Sequence, residues 1–298
     1  MPPELSRAYG ECRRITAERA RSFYLGLRLA PEPERSALYA LYAWNRLGDD
    51  IVDEPGVSGA ERDKRLRAFE ESTRAVCTGQ AGGDEPLWVA LADVLSKYPI
   101  DPGWLESMLH GLRRDLDQWQ PETLAELKVY CDRVAGSVGR CCLAVWCRSG
   151  SLTTDALVLA DRLGQAFQIT NVLRDIGEDA AARPPRWYMP RELLSDHSLT
   201  QDDLLEWAEP DACRAAVLAL AAEARSAFGA GDRLLALVRP RFRPTLWAMI
   251  RIYERTLTLI EEDPKRSVRR EHVRPSKAAA ASIACRAFAM SALASGKR

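Results

Sequence analysis

Apolar residues recur every three to four positions along nearly the whole chain, and no stretch alternates in the two-residue rhythm of a half-buried strand. That period predicts helices over 4–27, 32–54, 59–79, 85–98, 102–118, 124–148, 153–180, 200–207, 210–236, 241–262 and 277–294. Punctuation supports several ends. Asp101 followed by Pro102 is a helix start with proline in the first turn. Thr123 with Glu126 reads as a capping box, and Gly150 as the stop of the helix it opens. The breaks QAGGD (80–84) and RPPRWYMP (183–190) are short, and no repeat or long polar linker divides the chain. The pattern therefore predicts a single all-α domain over 1–298, with a core from about 7 to 285 and a basic, alanine-rich tail over 265–298.

Two polar stretches disturb the pattern. In NRLGDDIVDE (45–54), Arg46, Asp49, Asp50 and Asp53 fall within about 100° on one helix face. The like-charge pair Asp49/Asp53 costs an isolated helix roughly 0.2–0.5 kcal/mol, small enough for any solvated helix end. GQAFQITNVLRDIGED (164–179) is harder to read that way. With Gln168 at 0°, Asn171 falls at about −60°, Asp175 at about −20° and Asp179 at about +20°. Val172, Ile169 and Ile176 flank that stripe on one side, Leu163 and Phe167 on the other. A surface helix has one wide polar arc and one apolar arc. A narrow polar stripe between two apolar flanks fits an internal polar cavity.

Carboxylates in such a cavity need cationic company. Arg174 points about 100° away from Asp175 on the wheel, so no direct pair between them is expected. A divalent cation would satisfy the aspartates, and Mg²⁺ takes oxygen ligands and completes its shell with substrate phosphates. Each cluster alone also fits a surface salt-bridge network. Two D-x-x-x-D clusters in one helical chain fit a cavity where metal ions hold diphosphates while an apolar wall shields a carbocation.

Composition narrows the classes. Lys plus Arg and Asp plus Glu are equal at 42 each, so no overall field favours nucleic acid. The eight cysteines form no CxxC pair and the three histidines lie far apart, which argues against zinc. The N-terminus lacks a signal-peptide pattern, and no run approaches the ~18 apolar residues of a membrane span. A reducing, cytoplasmic compartment is expected. The tail stretch KRSVRREHVRPSK (265–277) followed by Ile283, Phe288, Met290 and Leu293 fits either a C-terminal helix docked on the bundle with its basic residues solvated or a peripheral contact with the inner membrane surface.

Four segments in order, ARSFYLGLRL (20–29), YALYAWNRLGDDIVDE (39–54), YCDRVAGSVG (130–139) and LGQAFQITNVLRDIGEDAAARPPRWYMP (163–190), resemble the squalene/phytoene synthase family of head-to-head prenyl transferases. The resemblance implies an all-α bundle around a central cavity, of the class I isoprenoid synthase type, acting on two prenyl diphosphates. It implies Mg²⁺ (Mn²⁺ as a substitute) at Asp49, Asp53, Asp175 and Asp179, with Asp50 less firmly matched. Gln168 and Asn171 match positions supporting the metal–diphosphate cluster, and Arg46 and Arg174 match arginines near the diphosphates. Ser22, Phe23 and Tyr24 match the lining of the first site, and Tyr130 a tyrosine for proton removal or cation stabilisation. The double proline Pro184-Pro185 departs from the family's glycine-flexible loop and leaves the register of Arg186 open. YCDRVA followed by small residues is closer to bacterial presqualene diphosphate synthases acting on farnesyl diphosphate than to phytoene synthases acting on geranylgeranyl diphosphate. NADPH enters only if the reaction continues to squalene. A class I terpene cyclase would need a hydroxyl residue where Asp175 stands, and a non-catalytic relative would have lost aspartates or Tyr130.

Overall fold

Capping and proline placement fix where most of the helices begin. In a computed structural model, which describes residues 1–19, 26–147, 152–269 and 273–295, no strand occurs among the described residues. The first helices are α1 (Pro3–Arg19), α2 (Glu34–Asp53), α3 (Gly59–Cys77), α4 (Pro86–Lys97), α5 (Pro102–Leu116) and α6 (Leu124–Cys131). A π-helical turn, Asp132–Gly136, joins α6 to α7 (Ser137–Trp146), and α8 (Thr154–Ala181) follows. After it come α9 (Arg191–Asp196), α10 (Gln201–Glu206), α11 (Pro210–Phe228), α12 (Gly231–Leu237), α13 (Arg243–Glu262) and α14 (Lys277–Ser295), with 3-10 turns at Pro240–Phe242 and Pro264–Val268. Asp101 Oδ1 accepts from the Gly103 amide at 2.8 Å and Thr153 Oγ1 from the Ala156 amide at 3.3 Å, each satisfying an N-terminal donor that the helix itself leaves free.

Several sequence expectations change in detail. The predicted capping box at Thr123 is half formed: its hydroxyl accepts from the Glu126 amide, but the Glu126 carboxylate takes the Glu122 amide instead. The predicted helix 124–148 contains the π-turn, which period-3.6 reasoning does not register. The predicted helix 210–236 breaks at Gly229-Ala230, and sequence reasoning misses the six-residue α9, which has no capping side chain of the kind that marks the equally short α10. Gly150 and part of the predicted helix 4–27 lie outside the described residues.

The 28-residue α8 is the hub, packing against α7, the π-turn, α11, α12, α13 and the 264–268 turn. Close approach explains its glycines. A Cβ on Gly164 would lie 2.7 Å from the backbone nitrogen of Gly136, and a Cβ on Gly139 would lie 3.1 Å from the Ala160 carbonyl oxygen. Gly139 and Gly164 therefore serve close backbone packing of α7 and the π-turn on α8, while a Cβ on Gly136 would meet the Asp132 carboxylate.

Candidate active site

Helices α2, α7 and α8 surround a cavity of about 460 Å³, and each contributes a stripe at helical spacing. On α2 the stripe runs from Leu38, Leu41 and Tyr42 to Asn45, Asp49 and Asp53. On α8 it runs from Ala160 and Leu163 through Gln168 and Asn171 to Asp175 and Asp179. From Tyr130 on α6 it continues through Ala135 on the π-turn and along α7 through Val138, Cys142 and Trp146. The first two become acidic toward their C-terminal ends, whereas the third begins polar and becomes apolar. The cavity is thus polarised, with carboxylates at one end and aliphatic and aromatic side chains at the other.

The two aspartate pairs sit in an enclosed, mutually repelling field. Burial first, then the neighbouring Asp53 charge, pushes the Asp49 carboxyl well above the usual carboxylate range. Burial and the Asp175 charge push Asp179 up to about 7. Arginines occupy the same end. Arg186 pairs with Asp53 and lines the cavity at this end. Arg174 grips Asp175 with two hydrogen bonds, Nε to Oδ1 at 2.7 Å and Nη2 to Oδ2 at 2.5 Å. This corrects the wheel-based expectation that the two would not pair: the guanidinium stem is long enough to fold back across one helical position. Arg46 pairs with Asp50, and Arg19 approaches the same carboxylate at 3.6 Å. Asp50 is therefore engaged by arginines and does not line the cavity, whereas Asp49 and Asp53 do.

The donor set suits a hard cation. Asn45 Oδ1 and Asn171 Oδ1 are buried, line the cavity and receive no hydrogen bond among the described residues. Orphaned amide oxygens beside carboxylates of raised pKa are groups that a divalent cation would satisfy. No three acidic, histidine or cysteine side chains already converge on one point among the described residues. That arrangement fits an ion held by one or two carboxylates together with substrate phosphates, as Mg²⁺ usually is. Ser22, Phe23 and Tyr24, expected to line the first site, lie outside the described residues.

Tyr130 lies at the boundary between the two ends. Its hydroxyl donates to Asp115 Oδ1 at 2.8 Å, the Tyr188 hydroxyl donates to the same oxygen at 2.7 Å, and the two rings stack at 5.2 Å. Burial raises Asp115 to about 6, against the opposing pull of the two phenols. Burial and the Asp115 charge hold the Tyr130 phenol far above its ordinary value, so it stays protonated. Sequence reasoning missed Asp115, which stands near the end of α5 in RRDLDQW and belongs to neither D-x-x-x-D cluster. It also missed Asn45, although Asn45 lies one turn before Asp49 on the same face.

The squalene/phytoene synthase family profile matches residues 16–279. The chain belongs to the squalene/phytoene synthase family. The synthase is 36% identical over 270 residues to 15-cis-phytoene synthase of Synechococcus elongatus, covering 87% of this chain and 85% of that protein. It is 34% identical to phytoene synthase of Mycobacterium tuberculosis over 270 residues, with 88% and 84% covered. Its fold matches a dehydrosqualene synthase crystal structure at a TM-score of 0.83 and 26% identity, covering 96% and 97% of the two chains. A squalene synthase from Alicyclobacillus acidocaldarius matches at 0.73 and 26%, with 97% of each chain covered. The synthase is accordingly a head-to-head prenyltransferase with the all-α isoprenoid synthase fold.

Proposed function

We propose that the synthase joins two farnesyl diphosphates head to head to give presqualene diphosphate. The observation that carries this reading is the depth of the apolar end. From Asp49 to Leu38 the cavity stripe on α2 spans about eleven residues, roughly 16 Å at the helical rise. An extended farnesyl tail needs roughly 14 Å and a geranylgeranyl tail roughly 19 Å, taking carbon–carbon bonds of about 1.5 Å at tetrahedral angles. A stripe of that length is nearer the farnesyl tail than the geranylgeranyl tail, which supports the first donor.

In this reading Arg46, Arg174 and Arg186 would hold the diphosphates, and Asp49, Asp53, Asp175 and Asp179, with Asn171 and Gln168, would hold magnesium. When bound, the magnesium ions would neutralise charge building on the departing diphosphate. The C1–oxygen bond of one substrate breaks and its diphosphate leaves with the electron pair. The 2,3-double bond of the second substrate attacks, joining its C2 to that C1 and leaving a cation at C3. Loss of a proton from the former C1 closes the cyclopropane. The Tyr130 oxygen is the candidate acceptor, passing its own proton along the hydrogen bond to Asp115. The aliphatic walls exclude water, which would otherwise trap the cation as an alcohol.

Incubating the protein with labelled farnesyl or geranylgeranyl diphosphate and Mg²⁺, with and without NADPH, tests this. Presqualene diphosphate from farnesyl diphosphate, without need of NADPH, is the expected result. The second reading, geranylgeranyl diphosphate to phytoene, is favoured by the names of the relatives at 36% and 34% identity. Phytoene as the dominant product would replace the first reading with it.

A peripheral membrane contact is the accompanying proposal. No helix among the described residues is long and apolar enough to cross a membrane. On α14 Ala287 is buried while neighbouring Phe288 is 69% exposed, so one face docks and an aromatic ring points outward. Sedimentation with anionic vesicles that weakens with salt and is lost on truncation after Asp263 is expected. Equal recovery of both proteins in the supernatant would leave α14 as a docked helix alone.

A further inference from the structure

We infer that Trp146 is the floor of the prenyl gutter and sets the length of tail the synthase accepts, an assignment that rests on the proposed head-to-head condensation. The placement follows from connections at the two ends of α2. Asp53 is the last residue of α2 and belongs to the carboxylate end, while Glu34 is its first residue, about 28 Å away along the axis. Trp146 is tied to the Glu34 end. The Arg239 guanidinium donates to the Trp146 carbonyl at 3.0 Å and to the Val145 carbonyl at 2.6 Å, and it reaches Glu34 Oε1 at 3.0 Å. Trp146 is thus fixed at the opposite end of the cavity from the metal-binding candidates.

Three features make it a stop rather than a passive wall residue. It is the last cavity residue on the α7 stripe, one turn beyond Cys142 and Leu143, where the helix ends. Trp146 is 3% exposed, and its buried indole Nε1 has no hydrogen-bond partner among the described residues. Its backbone is also unusually well held. Glu34, 5% exposed, takes both Arg239 and Arg241, and both guanidiniums lie over the Phe242 ring at 4.7 and 5.0 Å. A large rigid ring on a clamped backbone cannot retreat along the axis, so each extra isoprene unit meets it directly. Tryptophan is the largest side chain available, and replacing it lengthens the gutter by about the width of the indole.

The test is a competition between prenyl diphosphates of C10, C15, C20 and C25 for the intact protein and for Trp146→Phe, Trp146→Leu and Trp146→Ala. The preferred length should move up one isoprene unit as the side chain shrinks, with the kcat/KM ratio of the longer to the shorter donor rising at least about 10-fold in Trp146→Leu. Trp146→Phe retains most of the volume and should shift the ratio least, so it keeps the series readable if Trp146→Ala does not fold; circular dichroism and thermal melting report folding. Arg239→Lys, which loosens the clamp without touching the tail, should broaden the range of lengths accepted rather than move its centre. A ratio that stays flat across folded Phe and Leu variants overturns the assignment. If the wild-type protein prefers the C20 donor, the farnesyl reading fails; the floor assignment then stands only if Trp146→Leu moves the preference to C25.

Discussion

At the residue scale, the site depends on carboxylates that the fold holds against their own repulsion. Asp53→Asn and Asp175→Asn should each lower turnover by 10²-fold or more, about 2.7 kcal/mol of transition-state stabilisation, while circular dichroism stays unchanged. Each change also frees an arginine, Arg186 or Arg174, that the lost carboxylate now pairs. Near wild-type turnover in either variant, or full activity in EDTA, would remove these residues from the metal site. Tyr130→Phe deletes the hydroxyl but keeps the ring stacked on Tyr188. It should slow product formation more than it weakens binding of a non-ionisable thio-analogue of the substrate, and Asp115→Asn should produce the same split. An equal loss in rate and binding would return both residues to packing. The aspartate spacing was legible in the sequence because residues four apart share one helix face, and two such pairs occur in one chain. The Arg174–Asp175 pair was not, because a wheel fixes where a Cβ points and says nothing of where a long side chain ends.

At the element scale, α8 holds its polar stripe in place by lying almost backbone to backbone on the π-turn. Gly164→Ala would put a methyl group 2.7 Å from the Gly136 nitrogen, where only main chain can yield. Overpacking of this kind costs about 1–3 kcal/mol, and the variant should melt several degrees lower and lose activity through displacement of Gln168 and Asn171. An unchanged melting temperature would show that the two elements separate freely. Helix identities were readable from period alone for the long segments, such as α2, α5 and α8. The π-turn, the break at Gly229-Ala230 and the short α9 were not, since each depends on contacts rather than on local pattern.

At the scale of the whole molecule, the acidic end titrates as a group. Asp49, Asp115 and Asp179 all have folded-state values above the unfolded 3.8, with Asp115 near 6 and Asp179 near 7. Between those limits the folded state binds more protons than the unfolded chain, so stability falls as pH rises from about 4 to about 7 and levels off above. A tenfold change in proton affinity on folding is worth about 1.4 kcal/mol for one carboxyl, and less wherever solvent screens it. The metal-free protein should therefore melt at a lower temperature at pH 7.5 than at pH 5. Mg²⁺ with an unreactive diphosphate should raise the melting temperature more at pH 7.5, where the carboxylates are ionised and ready to bind. A metal-free melting temperature that rises across that interval would contradict the burial of these groups.

The sequence by itself determined the helical class and the family and singled out the four aspartates as candidates, because periodicity and motif spacing are local properties that survive without a fold. Tertiary structure alone decided what those residues face. It brought Asp115 and Tyr188 to Tyr130 from 15 and 58 positions away in sequence, and it set Arg186 on Asp53 across 133. It also placed Trp146 at the foot of an apolar gutter by way of Arg239 and Glu34, residues separated by 205 positions. Such contacts are invisible to spacing because the chain can bring any two distant residues together, and only the packing of α2, α7 and α8 selects which.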